Sequence, residues 1–180
     1  VLYGEFVEGD TADQELVSRI LREHRIDTVI HFAAHTIVPE SVENPLKYYG
    51  NNTCCTRNLL ECCDAAGVKH FVFSSTAAVY GMPDVDKCWE DTPTAPINPY
   101  GMSKLMSEHM LRDLGAASPL RHVILRYFNV AGCDPETRFG EERMLLFEKF
   151  FQISHCHQSP ISFWYHLKRI FCREHHQQPQ

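Results

Sequence analysis

Apolar residues along this chain recur with two alternating periods. Between Ala12 and His24, Leu16, Ile20 and Leu21 share one face at helical spacing. The run Asp27 to Phe32, centred on Thr28-Val29-Ile30, is short, β-branched and bounded by polar residues, so it predicts a buried strand. Ahead of both, Glu5-Phe6-Val7-Glu8 reads as a further short strand. Helical spacing returns from about Pro45 to Ala66 and stops at Gly67, whose tolerance of left-handed angles suits a helix end. Lys69 to Ser74 predicts the next strand. Met82 to Pro99, with Pro83, Pro93, Pro96 and Pro99 among acidic and turn residues, predicts a surface loop. A helix from Tyr100 to about Leu114-Gly115 and a strand from Arg121 to Tyr127 follow. Strands alternating with helices imply βαβ units, hence an α/β chain built on a parallel sheet.

The character changes near Gly140. All nine glycines lie at or before that residue, five of the eleven histidines lie between His155 and His176, and the formal charge passes from -7 over residues 1–140 to +1 over the remainder. The reading is therefore of one α/β region over 1–140 and a divergent tail over 141–180, in which Met144 to Phe151 has an amphipathic helical pattern and the rest has none. His155-Cys156-His157 and His175-His176 match no zinc spacing, so no metal is expected. The first residue is Val1 and the first element is a strand already in progress, which reads as a fragment of a longer chain.

Composition narrows the partners. At 44% hydrophobic and 22% charged, with a net charge of -6, the chain has the make-up of a globular domain and no basic footprint for nucleic acid. No apolar stretch approaches the roughly 18 residues of a membrane span, and a cytoplasmic location is the expectation. The eight cysteines include the pairs Cys54-Cys55 and Cys62-Cys63 in a helical segment, with neither C-x-x-C spacing nor a disulfide framework, and read as reduced thiols.

The chemistry concentrates in Tyr100-Gly101-Met102-Ser103-Lys104 and Ser74-Ser75-Thr76. On a helix, Tyr100 and Lys104 share a face, and an ammonium beside a phenol favours the phenolate. A phenol titrating near 10 needs that help to act as a base near neutral pH, and Thr76 is placed to share a substrate hydroxyl proton with it. Taken alone, Y-x-x-x-K also describes an ordinary helix surface. Its position after a strand that ends in hydroxyls is what points to a site, because open α/β sheets present groups to ligands at strand ends.

With these motifs the chain resembles the extended short-chain dehydrogenase/reductases that modify sugar nucleotides, the UDP-hexose 4-epimerases in particular. The likeness also rests on Gly9-Asp10, His31-Phe32-Ala33-Ala34, Glu40-Ser41-Val42-Glu43-Asn44-Pro45, Tyr48-Tyr49-Gly50-Asn51-Asn52, Val79-Tyr80-Gly81 and Arg126-Tyr127-Phe128-Asn129-Val130-Ala131-Gly132, and covers about residues 5–140. It implies a partial Rossmann-like, doubly wound parallel sheet lacking its first βαβ unit. It further implies NAD as cofactor, a UDP-hexose as substrate, and epimerisation at C4 through a transient 4-keto sugar. Tyr100 would be base and acid, Lys104 would tune it and hold the nicotinamide ribose, and Thr76 would hold the sugar hydroxyl. Asp10 would contact adenine, Phe32, Ala33, Ala34, Asn51 and Phe128 would line the cofactor, and Asn129 would contact the substrate diphosphate. Each has a bland counterpart: Phe32 and Phe128 as core aromatics, Asn51 as a polar helix residue, Asp10 as a turn former or N-cap. Family members are commonly homodimers, which points to the Tyr100 helix and the long helix before it as an interface.

Two departures stand out. Thr36 occupies a place where some epimerases carry a lysine, and no G-x-x-G-x-x-G loop is present to give backbone N–H groups to a pyrophosphate. The alternatives are accordingly a catalytically inactive fragment of such an enzyme, or another NAD-dependent sugar-nucleotide oxidoreductase. A 4,6-dehydratase is disfavoured, because the acid and base it needs after the strand-end Thr are here Ala77 and Ala78.

Overall fold

The computed structural model describes residues 5–128 and 151–154. Helix α1 (Gln14–Glu23) is capped by Asp13, whose carboxylate accepts the Leu16 N–H. Strand β1 (Thr28–His31) follows, then two short helices, α2 (Val38–Glu43) and α3 (Pro45–Tyr48), the latter opened by a proline that already has helical φ. The backbone continues through a π-helical stretch, Tyr49–Cys54, into α4 (Cys55–Ala66), which Gly67 ends at φ 71°. Strand β2 (His70–Thr76) runs into a 3₁₀ turn, Ala77–Tyr80. After the proline-rich loop, α5 (Pro99–Ala117) begins at Asn98, whose side chain accepts the Gly101 N–H at 2.8 Å, and β3 (Arg121–Tyr127) completes the alternation.

The strands lie in the order β1-β2-β3, all parallel, with β4 (Phe151–Ser154) antiparallel on β3. This is the open α/β sheet expected from the sequence. Three findings differ from the expectation. Glu5–Glu8 forms no strand: it pairs with none of the described strands and is exposed throughout, and alternation without a ladder partner leaves backbone groups to water. Phe151, expected at the end of a helix, opens β4 instead, because edge pairing with Tyr127 overrides a weak helical pattern. The remaining part of the tail lies outside the described residues. The long helix from Pro45 is interrupted, as six of its residues are π-helical.

One core joins the layers. Leu21 from α1, Leu59, Leu60 and Cys63 from α4, and Leu111 from α5 meet Phe71, Phe73 and Ile124 of the sheet. Hydrophobic burial on this face docks α5 across β2 and β3 and so fixes where its first turn lands. That turn also needs Gly101: a Cβ there would come within 2.6 Å of the Ala78 carbonyl oxygen. We expect Gly101→Ala to cost about 1–3 kcal/mol by pushing α5 off the 3₁₀ turn, read as a lower urea midpoint at unchanged m-value.

Candidate active site

At the carboxyl end of β2 a recess of about 420 Å³ is lined by Ser74, Ser75, Thr76, Tyr100, Tyr127, Phe128 and Phe32. The fold accounts for the assembly. Ser74, Ser75 and Thr76 close β2, Tyr127 closes the neighbouring β3, and α5 begins above both, so strand ends and a helix start converge where open α/β sheets bind ligands.

Tyr100 and Thr76 stand side by side. Burial raises the Tyr100 pKa above 10, and the hydrogen bond from Thr76 to the ionised form works the other way. The net direction corrects the expectation that Lys104 holds this phenol low. Lys104 is only 3% exposed. Its Nζ donates to the Ser74 carbonyl at 2.9 Å and lies 5.0 Å from the Phe73 ring centroid. Burial brings its own pKa down to about 8. In the free chain the cation is thus engaged by backbone and ring, and the phenol stays protonated. Two of the three Lys104 N–H donors have no hydrogen-bond acceptor among the described residues, so the ammonium retains capacity for a ligand's hydroxyls.

The other predicted residues take distinct places. Phe32 is 61% exposed at the recess, with Ala33 exposed and Ala34 half-buried in the loop after β1. Phe128, 39% exposed, stacks on Tyr80 at 6.4 Å rather than joining the core. Asn51 sits in the π-helical stretch and donates to the Asn52 side-chain oxygen at 3.0 Å. Asp10 lies away from the recess lining and accepts the Ala12 N–H at 2.8 Å, the behaviour of a turn former. Asn129 lies outside the described residues. Thr36 is exposed in the loop after β1. Among the described residues no three His, Cys, Asp or Glu side chains converge as for a metal. No helix among them is long and apolar enough to cross a membrane.

Two residues that stand inside the quoted motifs, Asn52 and Ser103, have a supporting role that the motifs did not assign. Asn52, 1% exposed, accepts the His35 N–H at 2.8 Å, and its amide donates to the His35 carbonyl at 2.9 Å and to Ser103 Oγ at 3.1 Å. Ser103 Oγ in turn donates to the Tyr100 carbonyl at 2.7 Å. The loop after β1 is thereby tied to the helix carrying Tyr100. A π-helical insertion often marks such a functional position, but only the backbone reveals it.

His31 ends β1 beneath this layer, its ring stacked on Phe73 at 5.9 Å. Thr56 spends its hydroxyl hydrogen on the Asn52 carbonyl, so the 2.9 Å contact between His31 and Thr56 requires His31 Nε2 to be the donor. Burial, and then the Lys104 charge, lower the His31 pKa to about 4. Between pH 6.5 and about 4 the unfolded chain takes up a proton that the folded chain refuses, so stability must fall as pH falls. We expect a loss of about 3 kcal/mol across that window attributable to this group, seen as a flatter pH dependence of urea unfolding in His31→Gln.

A family model described as GDP-mannose 4,6 dehydratase matches residues 3–159. The chain is 60% identical over 135 residues to a UDP-glucose 4-epimerase of Azospirillum brasilense, covering 75% of this chain and 39% of that one. Among solved structures, the UDP-glucose 4-epimerase of Brucella ovis in complex with NAD is 45% identical at a TM-score of 0.76, over 78% of this chain and 43% of that one. The Bifidobacterium longum UDP-glucose 4-epimerase in complex with NAD+ and UDP is 44% identical at 0.72, over 75% and 41%. The chain spans about two fifths of the length of the curated relatives it matches. A parallel sheet whose strand-end Thr76 meets Tyr100, with Lys104 one turn on, and a family match over most of the sequence place this chain in the GDP-mannose 4,6-dehydratase family.

Proposed function

We propose that this chain carries the proton-transfer machinery of a NAD-dependent epimerase acting at C4 of a UDP-hexose, interconverting UDP-glucose and UDP-galactose through a transient 4-keto sugar. The observation that carries the reading is the meeting of Thr76 and Tyr100 on one wall of the recess, with the Lys104 ammonium a turn away. Relatives named UDP-glucose 4-epimerase, and solved neighbours holding NAD or UDP, support the cofactor and substrate class. Ala77 and Ala78, immediately after Thr76, have no proton to move and weigh against a dehydratase.

NAD bound there supplies a hydride acceptor and a positive charge. The residues that would hold it are Asp10, the loop Phe32-Ala33-Ala34, Asn51, Tyr100, Lys104 and Phe128, with the free N–H groups of Lys104 suited to a ribose diol. Asn129 is assigned to the substrate diphosphate. Tyr100 takes the proton of the sugar 4-hydroxyl as the C4 hydrogen leaves, and gives it back to the keto oxygen on the return. Thr76 holds that same oxygen and steadies the phenolate. Because burial favours the neutral phenol in the free chain, Tyr100 is set as an acid until a positive charge joins it.

The groove between α4 and α5, about 450 Å³ and edged by Leu60, Met110 and Leu114 with Arg57 and Glu61, is the face we assign to a homodimer. Five free thiols among the described residues fit a cytoplasmic setting. The cofactor assignment is tested by denaturing the purified chain and weighing released small molecules, then titrating the chain with NAD. Released NAD or saturable binding supports it; neither in a folded chain would overturn it.

A further inference from the structure

Glu108, two helical turns beyond Tyr100 and one beyond Lys104, is fully buried on α5. A lone carboxylate there would be costly, and this one is saturated with partners. Ser75 Oγ donates to its Oε1. Arg126 grips both oxygens, Nε to Oε1 at 3.0 Å and Nη2 to Oε2 at 2.8 Å, and Arg112 reaches Oε2 at 2.8 Å. Burial works to raise the Glu108 pKa, but these hydrogen bonds and guanidinium charges carry it below the usual value, so it is a carboxylate at neutral pH. The guanidinium of Arg126 is itself held under the Tyr80 ring at 4.7 Å.

Three residues of α5, each four apart, therefore reach the last three residues of β2: Lys104 donates to the Ser74 carbonyl, Glu108 accepts from Ser75 Oγ, and Tyr100 shares the recess wall with Thr76. The Glu108 contact is anchored on a second strand through Arg126, which pairs in register with Ser75. A helix packed on a sheet by apolar contacts alone slides and rotates by fractions of an ångström at little cost, whereas a bidentate ion pair fixes both.

The geometry points to Glu108 as a positioning residue: its carboxylate, clamped between Ser75 and Arg126, sets the register of α5 on β2 and so the approach of the Tyr100 phenol to Thr76. The inference rests on Tyr100 being the proton-transfer group, but its test does not depend on turnover.

The full chain is labelled with 3-fluorotyrosine, which lowers phenol ionisation into a range where the fold holds, and the Tyr100 fluorine signal is identified by its loss in Tyr100→Phe. Its titration is followed in the parent, in Glu108→Gln and in Leu111→Ala, a core truncation on the same helix. Drawing Thr76 away from the phenol withdraws a donor from the phenolate and moves the Tyr100 midpoint up, by at least about half a pH unit in Glu108→Gln. Removing a negative charge would by itself move it down, so the sign separates positioning from electrostatics. Leu111→Ala should leave the midpoint in place. Should Glu108→Gln not fold, Ser75→Ala removes one of the clamp's bonds and is expected to shift the midpoint the same way. An unchanged or lowered midpoint in the folded variant, or an equal shift in Leu111→Ala, overturns the inference. If instead turnover survives in Tyr100→Phe, the proposed function fails while the titration result stands.

Discussion

Tyr100→Phe is expected to lower interconversion of UDP-glucose and UDP-galactose by about 10²–10⁴-fold while leaving the fold intact. The substitution removes one oxygen, at a side chain that already packs edge-on against Tyr48 at 6.4 Å, so the ring keeps its neighbours. What it loses is the phenol oxygen that shares the recess wall with Thr76. The same chemistry predicts a pH signature. Burial keeps the free phenol protonated, so the ionised fraction, and with it the proton-abstracting half of the reaction, grows as pH rises through the neutral range. That rise should vanish in Tyr100→Phe. A variant with parent-like rates at every pH would show that another group moves the proton.

The second large effect combines loss of activity with a gain in stability. Lys104 is charged at neutral pH despite being buried, and its pKa of about 8 against an ordinary 10.5 measures the strain. Its folded pKa is depressed, so between about 8 and 10.5 the unfolded chain holds the extra proton and the folded state gains stability as pH rises; below about 8 the full penalty applies. Lys104→Met keeps most of the volume and removes the charge, at the cost of the bond to the Ser74 carbonyl. We expect it to be more stable than the parent by about 1–3 kcal/mol at pH 7, with most of the difference gone by about pH 10 and the rest above about 10.5, and to lose about 10²-fold or more in turnover. Urea unfolding of the two chains at pH 7 and pH 10 checks the first part. A Lys104→Met chain less stable than the parent at pH 7 would mean that the ammonium stabilises the free fold.

Much of the architecture was legible because each local signal agreed with the next. Gly67 ends α4 in a left-handed conformation, the β-branched run at Thr28 forms a strand, and Arg121–Tyr127 lies at the residues its pattern names. The site's outline was legible too, since Y-x-x-x-K after a strand end places Tyr100 and Thr76 together. Its electrostatics were not. Spacing says that Lys104 shares a face with Tyr100, but only the packing shows the ammonium on the Ser74 carbonyl and over Phe73. Nor does any local pattern announce Glu108 or give the quoted Asn52 its role, since the meaning of both comes from partners such as His35, Ser103 and Arg126 on other elements. Glu5–Glu8 erred the opposite way: a strand-like pattern means nothing without a neighbour to pair with.

The most direct measurement is the interconversion of UDP-galactose and UDP-glucose by the purified 180-residue chain supplied with NAD, run beside Tyr100→Phe. Turnover by the parent that collapses in the variant is the predicted result. A folded chain that takes up NAD yet interconverts nothing, or a variant as fast as its parent, would contradict the assignment of proton transfer to Tyr100 and Thr76.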